Sequence, residues 1–153
     1  MTEIDVAMGG QVAEEIFYGD EGISAGCSSD LENATSTARQ MIKNFGMFGE
    51  TVGYQFIQNK SYSYIDDNLS NQFKEKIDKE IEKVLQESRQ RVYKLLYSNS
   101  FELKNLAQQC YIHDTLEFDD IEYAVNGEFH KIKANKVRKP FDFVGKINNL
   151  TNV

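Results

Sequence analysis

Between Asp66 and Tyr97 the chain repeats one pattern: Leu69, Phe73, Ile77, Ile81, Val84, Leu85, Val92, Leu95 and Leu96 recur every three or four positions amid dense charge. Only an α-helix gathers residues at that spacing onto one face, and a continuous helix over this stretch would be about 48 Å long. The single proline, Pro140, interrupts none of the periodic segments. An all-α fold built around one long amphipathic helix is therefore the expectation.

Four further helices follow from the same reasoning. Ile4, Ala7, Met8, Val12, Ile16 and Phe17 predict a first helix over about 3–18 that stops at Gly19. Gly9 and Gly10 lie inside it, and each costs about 1 kcal/mol relative to alanine there. Close approach of another element is the expected compensation. Ser29 and Glu32 have the spacing of a capping box, which predicts a helix start before Leu31, Ala34, Ala38, Met41, Ile42 and Phe45, with Gly46 as its left-handed stop. Residues 46–65 hold an aromatic set with no period and read as a long loop, with room for a short strand pair. Asn99 and Glu102 offer a second capping box for a helix whose apolar face is Leu103, Leu106, Ala107 and Cys110. A last helix is expected over about 118–125, ending near Gly127.

A chain of 153 residues with 41% hydrophobic content supports one core and gives no case for disorder. The net charge of −7 divides unevenly: residues 128–153 carry +4 and the rest −11. The sequence thus reads as a helical body, 1–127, followed by a basic tail, 128–153, expected to be a flexible extension. The acidic total points away from polyanions, and the tail lacks an RNA-binding signature, so no nucleic-acid partner is expected. No apolar run reaches the length of a membrane span.

Only two histidines, His113 and His130, and two cysteines, Cys27 and Cys110, are present. The histidines form no His-Glu-x-x-His pair, there is no nucleophile elbow, and no phosphate-cradling glycine loop occurs. The residues alone thus reveal no complete active site and no catalytic residue. Glu14 and Glu15 read locally as a solvated helix face. Asp30 reads as a first-turn carboxylate, favourable at the positive end of a helix dipole.

The residues around these carboxylates also form a recognisable series. Gly9-Gly10 precedes Ala13-Glu14-Glu15-Ile16. Gly26-Cys27-Ser28-Ser29-Asp30-Leu31 comes next, then Ala34-Thr35, Ala38-Arg39 and Phe45-Gly46-Met47. In order and spacing this resembles the C-terminal part of the FtsH-type peptidase domain. The Gly-Cys-Ser-Ser-Asp-Leu form resembles the mitochondrial inner-membrane members whose peptidase side faces the intermembrane space. Glu80, Glu87 and Arg91 on the long helix, Leu103, Leu106 and Ala107, and Thr115-Leu116 match more loosely. Gln11, Phe48, Tyr54 and Glu117 depart from the family pattern, in which arginine, serine, proline and aspartate are usual.

The resemblance implies an ATP-dependent zinc metalloendopeptidase that degrades membrane and misfolded polypeptides as a homo- or hetero-hexamer. Asp30 would be the third zinc ligand, beside the two histidines of a His-Glu-x-x-His helix. Glu14 would accept a hydrogen bond from one of those histidines, fixing its tautomer. The histidines, the catalytic glutamate and the ATP-binding module would lie N-terminal to Met1. The chain alone is then expected to be inactive. A non-catalytic helical interaction module, a remnant of such a protease, is the alternative.

Overall fold

The computed structural model describes residues 2–48, 52 and 70–133. Among the described residues there are five α-helices, α1 (Thr2–Tyr18), α2 (Ser28–Lys43), α3 (Asn71–Ser98), α4 (Ser100–His113) and α5 (Phe118–Val125), and no strand. The all-α reading is borne out, and so is its long amphipathic helix, which starts at Asn71 after the Ser70 N-cap and not at Asp66. Of the expected loop or strand pair after Phe48 only Val52 is described, helical and buried in the core; the rest of it, the segment Asp66–Leu69 and the tail from 134 onward lie outside the described residues.

Helices α1, α2 and α3 pack on one another and enclose the core. Helix α1 presents Ile4, Met8 and Val12, spaced one turn apart, and α3 presents Ile77, Ile81, Val84 and Val92. Between them α2 contributes Met41 and Ile42 together with Ala34 and Ala38, both fully buried. Small side chains at the contact set a short interaxial distance, which explains alanine at these two positions. Each large apolar side chain removed from water contributes roughly 1.5–3 kcal/mol.

Polar contacts fix the register of α1 on α3. Near the start of α1, Asp5 accepts hydrogen bonds from the Ser88 hydroxyl and from Nη2 of Arg91, the latter at 2.7 Å. Near its end, Glu15 accepts from Nη2 of Arg89 at 2.5 Å. Glu15 is therefore not on a solvated face, as its neighbours in sequence suggested; its side chain is 13% exposed.

Helix ends depart from the sequence expectation in two places. Neither Ser29 nor Asn99 caps a helix through its side chain: α2 has Cys27 at its N-cap, and the Asn99 amide donates back to the Leu95 carbonyl at 2.7 Å. Helix α1 does end before Gly19, whose N–H closes the last turn on the Glu15 carbonyl at 2.8 Å and whose φ of 73° turns the chain out of the helix. Helix α5 starts with a capping box made by Glu117 and Asp120, so glutamate serves where the family pattern has aspartate.

Helices α4 and α5 pack mainly on each other. The face that α4 buries is polar, Asn105, Gln109 and His113, whereas Leu103 and Leu106 are half-buried and Ala107 and Cys110 exposed. The expected apolar face with Cys110 in the core is thus corrected: the inward stripe runs one turn after another through 105, 109 and 113. Residues 128–133 fold back on α5, where Asp120 accepts the Lys133 N–H at 3.3 Å and the Lys131 ammonium stands 5.3 Å from the Tyr123 ring centre.

Candidate metal-ligand site

The region singled out by sequence lies where the end of α1 meets the start of α2. Gly10 is the point of closest approach: a Cβ built there would stand 3.3 Å from the Cys27 Sγ and 3.9 Å from the Asp30 Oδ2. The expected compensation for a helical glycine is therefore real at Gly10. It is absent at Gly9, where a Cβ would meet nothing within 4 Å.

Asp30 is exposed in the first turn of α2 and makes no hydrogen bond or ion pair among the described residues. It borders an open groove of about 780 Å³ between α1 and α2, which is also bordered by Glu3, Val6, Asn33, Thr37 and Phe45. Val6 and Phe45 are 75% and 69% exposed there. A carboxylate without partners at the edge of a groove can accept an incoming donor or cation without first breaking an existing contact.

Glu14 is placed one turn after Gly10 and is engaged. Its Oε2 accepts the Ser24 N–H and its Oε1 the Ser24 hydroxyl, each at 2.8 Å. These two bonds hold the carboxyl below the usual glutamate range. Cys27 is buried at 8% exposure, and burial, with the Glu14 and Asp30 charges, pushes its thiol up.

Enzymatic zinc sites take three protein ligands and keep one position open. Among the described residues no three of His, Cys, Asp and Glu come together. His113 is buried in α4 with its Nδ1 unpartnered, and His130 is exposed in the turn Phe129–Lys131. Among the described residues no whole zinc site is assembled, and a single exposed carboxylate such as Asp30 would fill one ligand position at most.

A family model described as peptidase family M41 matches residues 1–124. The chain belongs to that family. Among relatives, the mitochondrial inner membrane i-AAA protease supercomplex subunit YME1 of Saccharomyces cerevisiae is 35% identical over 135 residues, 88% of this chain. The human ATP-dependent zinc metalloprotease YME1L1 is 35% identical over 84% of this chain. The ATP-dependent zinc metalloprotease FtsH of Mesoplasma florum is 35% identical over 76% of it. The M41 chain spans only 16–18% of the length of these curated relatives. Among its described residues no helix is long and apolar enough to cross a membrane.

Sequence reasoning placed Asp30 and Glu14 in this M41 segment but missed Ser24. The signal was present, since a serine two residues before Gly26 can cap a turn. Ser29 with Glu32 offered the stronger local pattern and drew the helix start to itself.

Proposed function

We propose that this chain is part of an ATP-dependent zinc metalloendopeptidase that degrades membrane and misfolded polypeptides. Asp30 supplies one zinc ligand. The His-Glu-x-x-His helix and the ATPase module come from elsewhere in the longer protein. Zinc in such a site polarises a peptide carbonyl and lowers the pKa of bound water. This chain's own contribution is to hold the Asp30 carboxylate at the edge of the groove, within reach of the segment bearing the histidines. The observation that carries the reading is Asp30 itself: within an M41 match, it is a carboxylate without a hydrogen-bond or ion-pair partner among the described residues, on a helix start packed against Gly10. The printed name of the yeast relative supports a mitochondrial inner-membrane setting and a place in a larger assembly; a peptidase side in the intermembrane space and a hexameric arrangement belong to the same proposal.

In the full-length protein, Asp30→Asn is expected to remove zinc and proteolysis while leaving ATP hydrolysis intact; retained proteolysis refutes the ligand assignment. The 153-residue chain alone is expected neither to bind zinc tightly nor to cleave casein. Stoichiometric zinc with chelator-sensitive cleavage would overturn that expectation. The absence of any three-ligand cluster among the described residues also suits a non-catalytic helical module. The genomic sequence upstream of Met1 decides between the two: an in-frame His-Glu-x-x-His supports the protease, and stop codons throughout support the module.

A further inference from the structure

What holds Asp30 in place begins outside its own helix. The N-cap of α2, Cys27, makes no side-chain capping bond. Helix α2 instead continues from the tight turn Ala25–Cys27, to which the Ser28 N–H is bonded through the Ala25 carbonyl. That turn is capped by Ser24, whose Oγ accepts the Gly26 N–H at 3.1 Å. The same hydroxyl donates to Glu14, and the Ser24 N–H donates to the second oxygen of that carboxylate. A hydroxyl has one proton to give and lone pairs to receive, so Ser24 can do both at once, and bonds to an ionised acceptor are the stronger kind. The segment leading into α2 is therefore tied to α1 at two points one turn apart: the Cys27 side chain against Gly10, and Ser24 on Glu14.

We propose that Ser24 is a positioning residue for Asp30: by anchoring the turn before α2 to Glu14, it fixes where the Asp30 carboxylate stands in the metal site. Glu14 then acts on that site through Ser24 and not solely through a ligating histidine. This inference rests on the reading of Asp30 as a zinc ligand. Its physical basis is tolerance: a ligand constellation works only when held to within about 0.5 Å, and an exposed connection cannot supply that by itself. The Glu14–Ser24 bonds are exposed, so their loss is felt locally and leaves the core of α1, α2 and α3 intact.

The test uses Ser24→Ala, which deletes the hydroxyl but keeps the N–H, and Ser24→Thr, which keeps both. In the 153-residue chain, Ser24→Ala should speed amide exchange at Gly26 by about tenfold at an unchanged melting temperature, and Ser24→Thr should restore it. In the full-length protein, Ser24→Ala should weaken zinc affinity by about 10- to 100-fold, with rescue by Ser24→Thr. Zinc affinity at the wild-type level in Ser24→Ala, while Asp30→Asn loses the metal, overturns the positioning role and leaves the ligand assignment standing. Zinc retained in Asp30→Asn overturns both. Unchanged exchange at Gly26 in Ser24→Ala overturns the anchor itself.

Discussion

Gly9 and Gly10 are neighbours in one helix and carry the same intrinsic penalty, yet the structure assigns their replacements different effects. Alanine in a helix interior is favoured over glycine by about 0.8–1 kcal/mol. At Gly9 a Cβ meets nothing within 4 Å, so the whole gain should appear in Gly9→Ala. For a chain of this size that raises the melting temperature by roughly 2–4 °C. At Gly10 the Cβ would sit 3.3 Å from the Cys27 Sγ, and Cys27 is only 8% exposed, with little room to turn away. Forcing a methyl into such a contact costs about 1–3 kcal/mol, which cancels or exceeds the helical gain. Gly10→Ala should thus be neutral or destabilising, and the two variants should differ by about 1–3 kcal/mol. Urea unfolding of both variants, analysed with equal slopes, measures this difference directly. If Gly10→Ala stabilises as much as Gly9→Ala, the close approach of Cys27 and Asp30 to α1 is wrong.

Asp5 gives a pH-dependent prediction. Its carboxyl is held below the usual aspartate range, chiefly by the Arg91 hydrogen bond and also by Ser88, against the opposing effect of burial. A depressed folded value means that the contribution is complete above the unfolded value near 3.8 and is lost as pH falls through the folded one. Asp5→Asn should therefore cost about 1 kcal/mol at neutral pH, a gap that narrows as pH falls below 3.8 in denaturant titrations; a gap that stays equal throughout refutes it. Ile4→Ala should cost about 2–5 kcal/mol, since Ile4 is fully buried. Val6→Ala, two positions on and 75% exposed, should stay within about 0.5 kcal/mol, and similar unfolding midpoints for the two would contradict the orientation of α1.

The sequence showed the helices far more clearly than it showed their joints. The 3.6-residue rhythm of α1, α2 and α3 reflects burial, and burial acts on every turn, so Thr2–Tyr18 comes within a residue of expectation, whereas α3 starts at Asn71 and not at Asp66, because Ser70 caps it. Caps depend on a single bond each and are settled by competition. Ser29 with Glu32 had the right local spacing, but Ser24 could reach Glu14 on another helix, and that tertiary contact moved the start of the ordered turn upstream. Glu15 illustrates the same limit, because its partner Arg89 is 74 positions away and nothing local separates it from a solvated glutamate. Helix α4 misled for a different reason. It carries both an apolar and a polar stripe, and period alone does not say which of them faces inward. At the site, Asp30 was legible through family resemblance, whereas its anchorage required the fold.

The contacts between α1 and α3 also order events as the chain is made. Asp5 must wait for Ser88 and Arg91, which follow it by 83 and 86 positions. At a synthesis rate of roughly 5–20 residues per second, the first helix, complete at Tyr18, precedes its clamp by about 4–15 s. During that interval Ile4, Met8 and Val12 lack the cover that Ile77, Ile81, Val84 and Val92 of α3 later give them. The earliest helix of this segment is thus among the last to be secured, and a chaperone or the preceding part of a longer polypeptide has those seconds in which to engage its apolar face.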